Sequence, residues 1–145
     1  MASLCKGFPS GMSTSSHMDK DNKKAQDEYY KSQIVLIVEK EKAYLDPHFD
    51  IETFALRMGV NRFKLARIVS SLFGVSPLTY VNRLRAERAK NYLKDSRLSS
   101  VGVCDIGAMA GFSSRYTFIY EFKNIVGMTP SEYRSSLVSN NMRQA

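Results

Sequence analysis

The chain has 145 residues, 43% of them hydrophobic and 24% charged, a composition that excludes a disordered chain and provides for one compact domain. Its formal net charge of +7 favours an anionic partner, most often nucleic acid, while the longest aliphatic run, five residues, excludes a membrane span. Two cysteines and two histidines stand without disulfide or metal-ligand spacing, so neither a disulfide framework nor a zinc site is expected.

The basic charge is concentrated in one stretch. Residues 57–97 contain ten basic residues and two acidic ones, a net charge of +8, while the rest of the chain is nearly neutral. A basic cluster of this kind is the usual electrostatic footprint of nucleic-acid binding. The alternative is a solvated face on a helical module that contacts protein instead.

The chain begins with a polar segment, followed by a helical region. Residues 1–22 are rich in serine and lack an apolar signal-peptide core, so we expect a disordered leader or the remnant of an expression tag. Residues 23–145 are expected to form the folded domain. A first helix is predicted from about Asp27 to Leu45, ending before Asp46-Pro47, because proline disfavours helical geometry in the residue before it.

A helix-turn-helix is predicted over about residues 50–74. Asp50 is an acceptable N-cap for a short helix that ends at Gly59, where φ can become positive. Asn61 then caps RFKLARIVSSLF, whose apolar positions follow the i, i+3, i+4, i+7 spacing of a packed face. That stripe is Leu65, Ile68, Val69 and Leu72. The opposite face is Arg62, Phe63, Ala66, Arg67 and Ser70.

A long linker helix is predicted over about residues 76–94. It begins in GVSPLTY, where Ser76 is placed to cap and Pro77 occupies the first helical position without losing a hydrogen bond. At 1.5 Å per residue this helix is roughly 27 Å long. That length, with its turns, is close to the ~34 Å between successive major-groove segments on one face of DNA.

A second helix-turn-helix is predicted over about residues 101–127. A short helix from about Val103 to Ala110 ends at Gly111, and Ser113 or Ser114 caps RYTFIYEFKNIV. Its inward stripe is Phe118, Phe122 and Ile125. Its outward face is Arg115, Tyr116, Ile119, Tyr120 and Lys123. A closing helix over about residues 129–138 begins with a capping box between Thr129 and Glu132.

The two halves of the chain repeat one pattern. Gly59 and Gly111 lie 52 positions apart, and Leu65 and Phe118 lie 53 apart, so each half reads short helix, glycine turn, second helix and Gly–hydroxyl–Pro restart. We therefore predict an all-α fold of about seven helices, with two helix-turn-helix subdomains joined by a long linker helix.

These stretches resemble a known family. The segments IETFALRMGVNRFKLARIVSSLFGVSPLTYVNRLRAERAKNYL and DIGAMAGFSSRYTFIYEFKNIVGMTPSEYR resemble the C-terminal DNA-binding domain of AraC/XylS-type transcription regulators, over about residues 44–134. The resemblance implies a cytoplasmic, sequence-specific regulator of bacterial transcription that binds double-stranded promoter DNA and contacts RNA polymerase. It also implies no cofactor, no enzymatic activity, no membrane contact by this segment, and a sensor domain upstream in the native protein.

The resemblance also assigns site residues on the two outward faces. Those expected to contact base edges are Arg62, Phe63, Ala66, Arg67, Arg115, Tyr116, Ile119 and Tyr120. Those expected to contact phosphate are Asn61, Lys64, Ser70, Ser114, Thr117 and Lys123.

Some positions keep an alternative interpretation. Phe63 could instead pack against a neighbouring helix, and Tyr116 and Tyr120 could be core or interface residues. The basic residues of the linker helix, Arg83, Arg85, Arg88 and Lys90, are expected to be a mixture of solvated charges, phosphate contacts and structural contacts. Gly107 stands where many family members have alanine, and tight helix packing would explain it.

Overall fold

The computed structural model describes residues 16–144, with side chains described for residues 20–139. Within that part of the chain the regular elements are all helical, which confirms the predicted fold class. The first fifteen residues of the predicted leader lie outside the described residues. Seven α-helices follow one another: α1 Ser16–Ile34, α2 Ile51–Met58, α3 Arg62–Phe73, α4 Pro77–Lys94, α5 Val103–Met109, α6 Arg115–Val126 and α7 Pro130–Gln144.

The prediction for the first helix was wrong at both ends. α1 begins at Ser16 rather than about Asp27, so part of the expected leader is helical. The α-helical geometry gives way to a π-helical turn over Val35–Lys40, closed by the Glu41 N–H donating to the Leu36 carbonyl at 2.8 Å. Lys42 then adopts a left-handed φ of 58°, and only a short 3₁₀ turn, Ala43–Leu45, precedes Pro47. The helix therefore ends several residues before Pro47, and the proline is not what terminates it.

The predicted N-cap residues are present at the starts of both helices of the first helix-turn-helix. The Asp50 carboxylate accepts a hydrogen bond from the Thr53 N–H at 2.9 Å, while the Thr53 hydroxyl accepts one from the Asp50 N–H at 2.8 Å. These bonds hold the pKa of Asp50 below its usual value. The Asn61 side chain accepts from the Lys64 N–H at 2.8 Å. Gly59, at φ 73°, provides the left-handed turn between α2 and α3.

Capping also sets the helix starts of the second half. Ser114, not Ser113, caps α6: its hydroxyl accepts from the Thr117 N–H at 3.0 Å. The capping box of α7 is present in full, with the Thr129 N–H donating to Glu132 and the Glu132 N–H donating to the Thr129 hydroxyl.

Two compact units divide the chain, with their boundary between Leu78 and Thr79 inside α4. The first unit comprises residues 16–43 and Asp50–Leu78. Here α3 packs against both α1 and α2, because its apolar stripe must be covered. The buried apolar side chains of this unit are Ile34, Ile37, Val38, Ala43, Phe54, Ala55, Met58, Leu65 and Val69.

The second unit comprises Tyr44–Phe49 and residues 79–144. Its core lies between the linker helix α4, the short helix α5 and helix α6. The buried residues of this cluster are Ala86, Ala89, Leu93, Ile106, Ala110, Phe112, Phe118 and Phe122. Tyr133 of α7 packs on the cluster with its ring edge-on to Phe122, at 5.7 Å between centroids.

A buried arginine fastens the segment before α2 to the linker helix. Arg85 is 5% exposed, and its guanidinium donates to three backbone carbonyls, those of Tyr44 at 2.7 Å, Asp46 at 2.9 Å and Phe49 at 3.1 Å. Burial lowers the pKa of Arg85, but an arginine begins so far above neutrality that the group stays charged. Arg85 is thus a structural contact within the basic stretch.

Candidate nucleic-acid interface

The outward face of α3 is exposed along its length. Arg62, Phe63, Arg67 and Ser70 are all exposed, and Ala66 is half-buried, while Leu65 and Val69 on the other side are fully buried. Phe63 is 69% exposed, so it does not pack against a neighbouring helix and the alternative interpretation of this residue is wrong. The structure brings together the five predicted positions on one face of the first unit.

The two arginines of this face have different surroundings. The Arg62 guanidinium lies 3.3 Å from the Glu52 carboxylate of α2 and 5.1 Å from the centroid of the Phe63 ring. Arg67 has no hydrogen-bond or ion-pair partner among the side chains of residues 20–139. The guanidinium of Arg67 is therefore available to a ligand, whereas that of Arg62 is already held in place by α2.

Glu52 is a site residue that the sequence did not indicate. It lies ten positions before Arg62, in the first turn of the preceding helix, and an exposed acidic residue there is ordinary helix chemistry. The pairing of Glu52 with Arg62 depends on how α2 and α3 pack across the turn, which the sequence of neither helix shows.

The residues predicted to contact phosphate in the first unit lie around the start of α3. The side-chain oxygen of Asn61 is used as the helix cap. Lys64 is exposed, and its ammonium group lies 5.8 Å from the centroid of the Tyr30 ring on α1. A shallow depression beside the helix is lined by Ala66, Arg67, Ser70, Ser71 and Ser76.

The outward face of α6 is aromatic. Tyr116 is 76% exposed and Tyr120 54% exposed, and their rings are stacked with centroids 6.1 Å apart and an interplanar angle of 11°. Both tyrosines are therefore surface residues, and the interpretation that they belong to the core is wrong. Arg115 and Lys123 are exposed beside them, and Ile119 is half-buried.

The hydroxyl groups at the start of α6 already have partners. The Ser114 hydroxyl donates to the Thr117 hydroxyl at 2.8 Å and accepts from the Thr117 N–H. Both side chains lie at the N-terminal end of the helix, where backbone N–H groups and the helix dipole favour an anion. Contact of these two residues with phosphate stays a prediction.

The basic residues of the linker helix differ in their contacts within the protein. Arg83 is exposed, whereas Arg88 donates to the Tyr44 hydroxyl at 2.8 and 3.1 Å, a bond that raises the pKa of this arginine. Lys90 lies 3.4 Å from Glu87. The charge of the basic stretch is therefore partly used inside the second unit, whereas the Arg83 side chain is exposed to solvent.

Other kinds of site are not indicated by the described part of the chain. Among its side chains no group of three or more His, Cys, Asp and Glu residues is arranged to hold a metal ion. Within residues 16–144, no helix combines the length and apolar character needed to cross a bilayer.

Comparison with known families agrees with this geometry. A model of the family described as "Helix-turn-helix domain" matches residues 54–136, which is more than half of the chain. The match includes α3 and α6 and the whole of the linker helix between them.

Curated proteins with similar sequences are transcription factors and operon regulators. The chain is 33% identical over 86 residues to a protein named "Probable transcription factor PqrA" from Proteus vulgaris, covering 59% of the chain and 68% of PqrA. It is 29% identical over 90 residues to the arabinose operon regulatory protein of Salmonella typhimurium, covering 62% of the chain and 31% of that protein. The chain thus spans about a third of the length of the larger relative.

Solved structures of similar fold include domains of bacterial regulators. The C-terminal domain of the two-component response regulator yesN from Fusobacterium nucleatum superposes with a TM-score of 0.60 at 25% identity, covering 78% of the chain and 98% of that domain. A transcriptional regulator from Chromobacterium violaceum, described as containing an AraC-type DNA-binding domain, gives 0.61 at 26% identity, covering 76% and 96%.

Proposed function

The chain belongs to the AraC-type family of helix-turn-helix transcription regulators, and we propose that it binds double-stranded promoter DNA sequence-specifically. The observation that carries the proposal is the outward face of α3: a free guanidinium, Arg67, next to Ala66, on a helix whose opposite side is locked into a core. A rigid helix with one exposed, hydrogen-bonding face is what major-groove reading requires.

Base recognition rests on the outward faces of α3 and α6. Arg67 and Arg62 have the fork of donors that pairs with guanine O6 and N7, and Glu52 orients the second of them. Ala66 and Ile119 offer apolar contacts to base edges, and Phe63 and Arg115 extend the faces at the helix starts. Tyr116 and Tyr120 complete the reading face of α6.

Affinity comes from contacts with the phosphate backbone. The residues proposed for this role surround the two reading faces: Asn61, Lys64, Ser70, Ser114, Thr117 and Lys123. Cations that neutralise phosphates release bound counterions, so affinity must fall steeply as salt rises. This term positions the protein on any DNA, and the base contacts add the sequence preference.

The wider role of the protein follows from its relatives. The named relatives are a probable transcription factor and an operon regulatory protein, and the second has more than three times the matched length. We propose that the native protein has a sensor domain upstream of this region, contacts RNA polymerase and acts in the cytoplasm, where bacterial promoters are found. The family is one of DNA-binding regulators, and the proposed action is binding alone, with no reaction catalysed and no cofactor required.

A mobility-shift experiment separates this function from the alternative of a basic module that binds only protein. A binding site is first enriched from a random duplex library, and the chain is then titrated against that site and a scrambled copy, each at 50 and 200 mM salt. We expect tighter binding to the enriched site at both salt concentrations and a steep loss of affinity for both DNAs as salt rises. Failure to enrich any site, with no shift at low salt, would support the protein-binding module.

A further inference from the structure

The outward faces of the two reading helices differ in chemistry at two pairs of equivalent positions, Ser70 with Lys123 and Arg67 with Tyr120, and the second pair lies among the positions proposed to contact bases. The repeat of 53 positions places Arg62 on Arg115, Phe63 on Tyr116 and Ala66 on Ile119, each a pair of similar chemistry. The next pair on the same face is Arg67 and Tyr120. A charged donor in the first unit is thus replaced by an aromatic ring in the second.

The structure gives this exchange a physical consequence. Arg67 has no polar partner among the described side chains, so its five donors are free for a hydrogen-bonding ligand. Tyr120 instead stacks on Tyr116 with the two rings nearly parallel, which joins them into one aromatic surface. Ile119, half-buried, adjoins that surface from the same helix.

An exposed aromatic pair on a reading face favours a partner with apolar surface. Two large rings left in water lose the free energy that burial would give them, and contiguous apolar surface of this kind marks a contact site. Among the base edges of the major groove, the apolar feature is the C5-methyl group of thymine. Adenine, guanine and cytosine have no methyl group there.

We propose that the Tyr116–Tyr120 pair, with Ile119, recognises thymine methyl groups, so that α6 selects a thymine-containing half-site while Arg67 of α3 selects guanine in the other. The target is then two unequal half-sites, although the protein itself is a repeat. This inference rests on the proposed DNA binding and specifies which bases each helix reads.

The direct test removes only the methyl groups. In the enriched site, each thymine of the half-site protected by α6 is replaced by deoxyuridine, which keeps the base pair and deletes the C5-methyl group. We expect about a fourfold loss of affinity for each contacted methyl group, from the apolar surface it no longer buries. The same substituted DNA is also titrated with the double variant Tyr116→Ser, Tyr120→Ser.

The double variant shows whether the tyrosines cause the effect. Both side chains are exposed, so the variant should unfold at the same urea concentration as the original chain. We expect the deoxyuridine penalty in the α6 half-site to disappear in this variant. A deoxyuridine penalty in the α3 half-site should stay the same in both proteins, which provides the matched control.

A second experiment changes the selected base. Tyr120→Arg gives α6 the residue that α3 has at the equivalent position, and enrichment from a random library with this variant should bring guanine into the α6 half-site. Three results would overturn the proposal: an enriched α6 half-site without thymine, an unchanged affinity for deoxyuridine DNA, or a full penalty with the double serine variant. In each of them specific binding itself persists, so the outcome differs from failure of the proposed function. In that case the aromatic pair would be a contact for protein.

Discussion

The Phe118 ring occupies the space that a side chain at position 107 would need. A Cβ added to Gly107 would lie within 3.0 Å of three ring carbons of Phe118, closer than Cβ atoms approach other atoms in proteins. In the first half of the repeat the equivalent pair is Ala55 and Leu65. Compared with the first unit, the second unit has a smaller residue on its short helix and a larger one on its reading helix. The volume lost at position 107 is therefore occupied by the ring of Phe118, and this relation is called the volume exchange.

The variant Gly107→Ala tests this packing relationship. Overpacking costs about 1–3 kcal/mol, and alanine regains about 1 kcal/mol of helix propensity, so we expect a net loss of about 1 kcal/mol in urea unfolding followed by circular dichroism. Gly102→Ala is the matched control, since its added Cβ would meet only Asp105 at an ordinary 3.5 Å. Adding Phe118→Leu to Gly107→Ala restores the pair found in the first unit. The two changes should then couple favourably by about 1 kcal/mol, and strictly additive losses would contradict the volume exchange.

The buried guanidinium of Arg85 gives a second stability prediction. Arg85→Met keeps an apolar stem but leaves the carbonyls of Tyr44, Asp46 and Phe49 without their donor, so we expect a loss of about 3 kcal/mol in the free energy of unfolding. Arg83→Met, an exposed position on the same helix, removes the same charge and should cost within about 0.5 kcal/mol. Similar losses for the two variants would show that the buried hydrogen bonds are not what stabilises this segment.

Removal of the Glu52 carboxylate should strengthen binding to DNA of any sequence. Glu52→Gln frees Arg62 and removes a negative charge beside the reading face, so we expect about two- to fivefold tighter binding to random DNA at low salt. The fold should be little affected, because an exposed ion pair contributes about 1 kcal/mol or less. Glu41→Gln, which removes the partner of Arg57 in the same unit, is the control of equal charge. If both variants bind random DNA equally well, Glu52 has no special relation to the reading face.

The capping box of α7 predicts a pH dependence of stability. Hydrogen bonds from the Thr129 backbone and side chain hold the pKa of Glu132 below its ordinary value of 4.5. A lowered carboxylate pKa stabilises the fold fully above that ordinary value and loses its contribution as pH falls through the folded-state pKa. We therefore expect the stability difference between the original chain and Glu132→Gln to be present at pH 6 and to shrink below about pH 4.5. A difference that stays constant down to pH 3 in urea titrations would exclude the carboxylate as its source.

Local sequence signals predicted most of the helix boundaries. The starts of α2, α3 and α7 follow from side chains that can accept the first backbone N–H groups, and the turns at Gly59, Gly74 and Gly127 follow from glycine's access to positive φ. These are interactions between residues three to five positions apart. They are readable without knowledge of the tertiary structure.

The first helix shows where such signals end. Its α-helical geometry stops in a π-helical turn and a left-handed Lys42, and neither glycine nor proline marks the site. Ile34, Ile37 and Val38 are buried by packing within the first unit. The local sequence of α1 does not indicate that packing. For this reason the predicted helix was extended to the nearest proline, beyond its end in the structure.

The sequence predicted which residues of the candidate site share one helix face, but it did not predict which side chains contact one another. The 3.6-residue periodicity separates Arg67 from Leu65 without any structure. The pairing of Arg62 with Glu52 and the burial of Arg85 depend on contacts across turns and between distant segments. Position 85 does share a helical stripe with Val81 and Ala89, a signal that an arginine there faces inward.

The most direct test of base reading by α3 compares two neighbouring basic residues on two DNAs. Arg67→Ala and Lys64→Ala are each titrated against the enriched site and against random DNA, over a range of salt concentrations. We predict that Arg67→Ala loses about 1–3 kcal/mol on the enriched site and little on random DNA, whereas Lys64→Ala weakens both about equally and reduces the salt slope by about one. Equal losses of Arg67→Ala on the two DNAs would contradict base reading by α3.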